Sequence, residues 1–183
     1  MSPRASSYNA IVDAAKDIVV EEGAAHMTLD AVAARAGISK GGLLHHFPTK
    51  EALLEAMVER LIGAREESRK KALDELPESP TREMKAYIIS GLLRDRKTDC
   101  AGAPILAVLA YNPKLAEPLR EIIKKRYAEL ASGPVKFERA IIPALAADGL
   151  LFHEVVSLSP FTEEERNKII EELLRIADEG IAR

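Results

Sequence analysis

The chain has 183 residues, a formal net charge of −3 at pH 7, 47% apolar residues, 4% aromatics, no Trp and one cysteine. This length allows one globular unit or two small helical ones, and a core of Leu, Ile, Val and Ala with so few aromatics suits packed helices better than a β-sandwich. Cys100 cannot form an internal disulfide, which fits a reducing, cytoplasmic setting; no apolar run is long enough to span a membrane; the opening 23 residues hold Asp13, Lys16 and Asp17 and do not read as a signal peptide; and the net charge does not advertise a nucleic-acid binder.

In chain order, nearly every segment reads as helix. Ser2-Pro3 forms a cap and first-turn pair, and Tyr8, Ile11, Val12, Ala15, Ile18 and Val19 then recur on one face until Gly23. Thr28 can cap a second helix, "LDAVAARA", stopped by Gly37. Ser39 can cap a third, stopped at Phe47-Pro48. Thr49 can cap a long fourth, 49–76, with Glu51 at its positive end and Gly63 near its middle. Beyond "PESP" the pattern predicts helices over about 81–97, 103–110, 112–131 and 134–157, the last kinked at Pro143. A final helix is opened by a capping box of Thr162 and Glu165. The expectation is an all-α protein of about nine helices: residues 1–50 as a three-helix DNA-binding domain, and 51–183 as an effector-binding and dimerisation bundle, the two linked by helix 49–76.

That DNA-binding expectation rests on "TLDAVAARAGISKGGLLHHF", residues 28–47. Two short helices meet at a tight turn at Gly37, Ala33 lets them approach closely, and Val32, Ile38 and Leu43 face inward. This is the spacing of a helix-turn-helix, whose second helix enters the major groove. Each glycine in a helix interior costs about 1 kcal/mol relative to alanine. Gly41 and Gly42 make sense at the start of a recognition helix, where side-chain bulk would stand between backbone and DNA. Residues 1–50 carry five basic and five acidic side chains, so a phosphate-binding surface here must be made by placement.

The string "TLDAVAARAGISKGGLLHHFPTKEALLEA", preceded by "AIVDAAKDIVVEEG", resembles the TetR family of bacterial transcriptional repressors over roughly residues 8–60. The remainder is similar to that family in helix number and layout. The resemblance implies that Thr28 is a phosphate-binding cap. It makes Ser39, Lys40 and Gly42 contacts at the start of the recognition helix, His46 a phosphate contact near its end, and Lys50 a backbone grip at the start of the fourth helix. Gly41, Leu44 and His45 complete the expected DNA-facing set. The family often has Thr at the position of Gly42 and aromatics at those of Leu44 and His45, so Leu44 is expected to meet a thymine methyl and the operator sequence is left open.

Other chemistry is thin. His45 and His46 are adjacent, about 100° apart on a helix, which is not the i, i+4 pair a zinc site favours. No nucleophile elbow, Walker loop or dinucleotide fingerprint appears. No metal, cofactor or catalytic cluster is expected, and the alternative reading, a small helical enzyme or adaptor without DNA binding, lacks the residues it would need. Cys100 reads as a small buried apolar residue, with a redox role as the other possibility.

For residues 51–183 the expectation is a cavity for a small, mainly apolar effector with one or two hydrogen-bonding groups. Its candidate lining is Met57, Leu61, Met84, Tyr87, Ile88, Gly91, Cys100, Leu106, Tyr111 and Tyr127. A carboxylate-rich pocket for a cationic compound is not apparent, although Asp99 and Glu138 could serve. A recognition helix of two turns reads too few bases alone, so a homodimer on a palindromic operator is expected. The candidate interface is Ile141, Ala144, Leu145 and Phe152 on one helix and Ile169, Leu173, Ile176 and Ala177 on the last.

Overall fold

The computed structural model describes residues 3–23, 26–93 and 112–179. Among them are eight α-helices and one 3-10 turn: α1 (Pro3–Glu22), α2 (Leu29–Arg35), α3 (Lys40–His46), α4 (Lys50–Glu75), α5 (Arg82–Leu92), the 3-10 turn Pro113–Ala116, α6 (Glu117–Ala131), α7 (Phe137–Val155) and α8 (Glu163–Glu179). The all-α expectation therefore holds for the described residues. The short helix expected at 103–110 lies outside them. The segment expected as one helix from Asn112 begins instead as the 3-10 turn, with the Asn112 side chain accepting from Lys114 N–H at 3.1 Å. Pro143 sits buried inside an α7 that runs on to Val155.

Two compact units divide the chain. The first comprises residues up to Ile62 plus 112–119; the second comprises 63–93 and 120–179. The division falls inside α4, between Ile62 and Gly63, within the helix expected to link the two parts. The reason is apolar burial: Leu53, Leu54, Ala56, Met57 and Val58 on the first half of α4 join the core built by Ile11, Val12, Ala15 and Ile18 of α1. Val32, Ala33, Leu43, Phe47 and Leu115 belong to the same core. Gly23, at φ +89°, ends α1 in the left-handed region.

The second unit has its own core. Met84, Ile88 and Leu92 repeat every fourth residue along α5. Ala140, Ile141, Ala144, Ala147, Leu150 and Leu151 line α7, and Ile170, Leu173 and Ala177 line α8. The buried Arg166 of α8 donates to the carbonyl of Leu92 and pairs with Glu154 of α7. Arg126 of α6 is ion-paired to Glu66 of α4 and to Glu129. The capping box is formed: Thr162 N–H donates to Glu165 at 2.9 Å and Glu165 N–H to the Thr162 hydroxyl at 3.2 Å.

Candidate nucleic-acid interface

Three caps build the first unit's polar edge. The Thr28, Ser39 and Thr49 hydroxyls each accept a backbone N–H, from Ala31, Gly42 and Ala52 respectively, all at 3.1 Å. Between α2 and α3 the chain reverses at Gly37, whose φ of +67° needs no Cβ. Gly37 N–H donates to the carbonyl of Ala34 and Ile38 N–H to that of Ala33, the bond pair of a Schellman turn. The buried Val32, Ala33 and Leu43 then hold the two seven-residue helices together.

What this leaves outward is the start and one flank of α3. Lys40, Gly41, Gly42, Leu44 and His45 are all exposed, as are Thr28 and Ser39. His46 is half-buried, 6.4 Å from the Tyr8 ring by centroids, and Tyr8 in turn packs 5.0 Å from Phe47. Lys50 opens α4 and is half-buried. A Cβ added at Gly41 would meet nothing within 4 Å, so the chain's own packing does not require a glycine there. One added at Gly42 would come 3.3 Å from the Ser39 hydroxyl, so that glycine also keeps room for the cap. Lys40 Nζ donates to Asp30, a neighbour that the sequence reading left aside. Such a short, capped, outward helix with a cation at its first position is shaped to enter a groove and meet phosphates at its edge.

A family model described as "Bacterial regulatory proteins, tetR family" matches residues 11–57, and one described as "Tetracyclin repressor-like, C-terminal domain" matches residues 81–178. The chain belongs to the TetR family. It is a DNA-binding transcriptional regulator, and its relatives in the family are regulatory proteins rather than enzymes. Among solved structures it is similar to a transcriptional regulator from Rhodococcus sp. RHA1, at 23% identity over 94% of this chain and 96% of that one, with a TM-score of 0.67. It is also similar to a TetR transcription regulator from Haloarcula marismortui, at 17% identity over 95% and 97%, TM-score 0.65. The multidrug binding protein EbrR, solved with malachite green, matches at 24% identity over 92% and 96%, TM-score 0.66. No curated protein matches the sequence.

The structure of this TetR-family chain redistributes the residues expected to serve the effector and the dimer. Met57 and Leu61 are buried in the first unit, Met57 within its core; Met84 and Ile88 are packed in the core of the second. These four are filling side chains of their own units. Gly91 is half-buried. Cys100, Leu106 and Tyr111 lie outside the described residues, as does Asp99. Glu138 is exposed in the first turn of α7.

Tyr87 and Tyr127, from α5 and α6, do come together, and they meet a residue not anticipated from sequence. Tyr87 donates to both carboxylate oxygens of Asp148 on α7, at 2.9 and 2.8 Å, and Tyr127 donates to one of them at 2.7 Å. The rings stand edge to face, 6.1 Å apart at 88°. Burial, then the Asp148 charge, holds the Tyr87 phenol well above its ordinary pKa. Burial and the bond to Asp148 do the same for Tyr127. Both hydroxyls are therefore firm donors. A signal for Asp148 was present: it is the one charged residue between Arg139 and Glu154, in an otherwise apolar run.

Four of the expected interface residues, Ile141, Ala144, Leu173 and Ala177, are turned into the chain's own core. Ile169 is partly buried against that core. Leu145, Phe152 and Ile176 remain exposed. Phe137, which the α7 pattern also put on that side, and Ile142, which it did not, are exposed on the same helix, at 62% and 63%. Among the described residues no group of His, Cys, Asp and Glu could hold a metal ion, and no helix is long and apolar enough to cross a membrane.

Proposed function

We propose that the chain is a cytoplasmic, ligand-released repressor that binds a palindromic operator as a homodimer. The observation that carries the DNA half is the outward start of α3, with Lys40, Gly41, Gly42, Leu44 and His45 free of the core while Leu43 anchors the helix behind them. Thr28, Ser39, His46 and Lys50 then supply contacts to phosphates on either side of the groove. A single helix of two turns reads few bases, and two-fold pairing sets two such helices about 34 Å apart on successive major grooves.

Dimerisation is supported by the outer face of α7. Ile142, Leu145 and Phe152 recur at three- and seven-residue spacings, the period of one helical face. All three are more than half exposed, an apolar stripe that a monomer would leave in water. Ile176 of α8 is exposed too. Two copies of α7 and α8 make a four-helix interface.

Release is proposed to run along α4, whose residues belong to both compact units. An effector bound within residues 51–183 must favour one arrangement over another, or it shifts nothing. A coupling of about 1–3 kcal/mol weakens operator binding by about 5–150-fold. The regulators of similar fold include EbrR, a multidrug binding protein solved with malachite green, which favours a small-molecule effector here as well. The test is to select duplex fragments with the purified protein and titrate salt against the selected sequence. A palindromic consensus bound by two chains, with affinity falling steeply as salt rises, is the expected result. Recovery of no enriched sequence, or salt-independent binding, would refute the proposal.

A further inference from the structure

Asp148 is an exception among the partly buried acids of the second unit. Glu66 and Glu129 are paired with Arg126, and Glu154 with Arg166. Asp148 has only the two tyrosine hydroxyls and, among the described residues, no cation. Arg65 of α4, in the same unit, has a buried Nε without a hydrogen-bond partner, yet it makes no ion pair with Asp148. Hydrogen bonds from neutral donors stabilise a carboxylate but do not cancel its charge, and a charge withdrawn from water is ordinarily paired. Among the described residues, a lone acid placed in the apolar run of α7 therefore carries one negative charge that no cation pairs, flanked by two aromatic rings.

We infer that Asp148, with the rings of Tyr87 and Tyr127, is the charge-recognising end of a site for a lipophilic organic cation. The inference rests on the ligand-release reading and names the effector class. It adds a positive charge to the mainly apolar effector with one or two hydrogen-bonding groups expected from sequence. The chemistry fits in three ways. A carboxylate offers about four lone-pair positions; the two tyrosine protons, that of Tyr87 shared between both oxygens, engage only part of them and hold the group in place. Its charge attracts a cation strongly where water is scarce. The aromatic rings favour a delocalised or bulky cation over a small hydrated one, through their faces and their apolar area. An anion of the same shape is repelled.

The experiment compares two ions of matched size and opposite charge, tetraphenylphosphonium and tetraphenylborate, by calorimetry on the full chain. The wild-type protein is expected to bind the cation and to prefer it over the anion. Asp148→Asn should weaken cation binding roughly tenfold or more, the effect of deleting one close counter-charge, while leaving anion binding no weaker. Asp148→Glu should restore most of the preference. Equal losses for both ions would mean general damage to the bundle and would overturn the charge role, as would cation binding unchanged in Asp148→Asn. Should Asp148→Asn fail to fold, the wild-type chain still decides: titration with the cation must move the ring resonances of Tyr87 and Tyr127 and leave those of Tyr8 still. No binding, or movement elsewhere only, overturns the site. Operator affinity measured with the cation present separates the two readings. Binding at Asp148 without any change in operator affinity would refute ligand release while sparing the site; release by an uncharged compound without cation binding would do the reverse.

Discussion

Lys40 Nζ lies 2.9 Å from Asp30 Oδ1 and 3.0 Å from Oδ2, a pair that bridges the two helices of the helix-turn-helix. Both side chains are exposed, so the pair adds little to stability. Its consequence is for DNA. A phosphate approaching Lys40 must compete with the Asp30 carboxylate, and that carboxylate itself repels the backbone. Asp30→Asn is expected to tighten binding to duplex DNA severalfold at low salt, the gain shrinking as salt screens both charges. Lys40→Ala should weaken binding and reduce the salt slope by about one ion per half-site. Fluorescence anisotropy across a salt series measures both. Unchanged affinity in Lys40→Ala would remove α3 from the DNA surface.

The dimer prediction turns on exposure. Leu173 is only 6% exposed and lies in the chain's own core, so an acid there would damage the fold before it tested any interface. Leu145 and Phe152 are 55% and 52% exposed. Leu145→Asp with Phe152→Asp should give a folded monomer with much weaker operator binding. Sedimentation velocity and circular dichroism check this together. A double variant that remains a dimer would place the interface elsewhere.

Gly63 lies in α4 at the point where the two compact units divide, and a Cβ added there meets nothing within 4 Å. Gly63→Ala therefore adds a better helix former without a clash, and should raise stability by up to about 1 kcal/mol, read as a higher Tm. If α4 transmits release by bending at this point, the same variant should alter how far an effector lowers operator affinity. An identical effector response would dismiss the hinge, though not transmission by a rigid α4.

Glu165 accepts the Thr162 N–H and hydroxyl, and these bonds hold its carboxyl below the ordinary carboxylate pKa. The stabilisation is therefore present at neutral pH and is lost as pH falls through the lowered, folded-state value. Glu165→Gln should flatten the acid limb of the stability curve, as followed by helix signal against urea from pH 7 down to pH 3. Equal slopes in both proteins would show that the cap contributes nothing through this charge.

The helix-turn-helix was legible because its determinants are local. Thr28, Ser39 and Thr49 cap their helices through atoms three residues away, and Gly37 turns the chain by its own φ. The capping box at Thr162 was legible for the same reason. The outward residues of α3 followed once Leu43 was assigned to the core, since the period of a short helix leaves few alternatives. The outward face of α7 was only half legible. Periodicity marks an apolar helix, but an α7 apolar on more than one side has no single inward face in its sequence, and Ile141 and Leu145 look alike until α5 and α8 are packed against one of them.

By itself, the sequence determined where the helices of the first unit begin and stop, and which end of α3 faces outward, because caps, turns and short-range periodicity act within four residues. Only the tertiary structure decided that Met57, Met84 and Ile88 are core, that Lys40 leans on Asp30, and that Tyr87 and Tyr127 converge on Asp148. The two tyrosines lie 61 and 21 residues from that carboxylate. A bond over such separations is fixed by how helices pack, a property of summed apolar burial that no local pattern encodes.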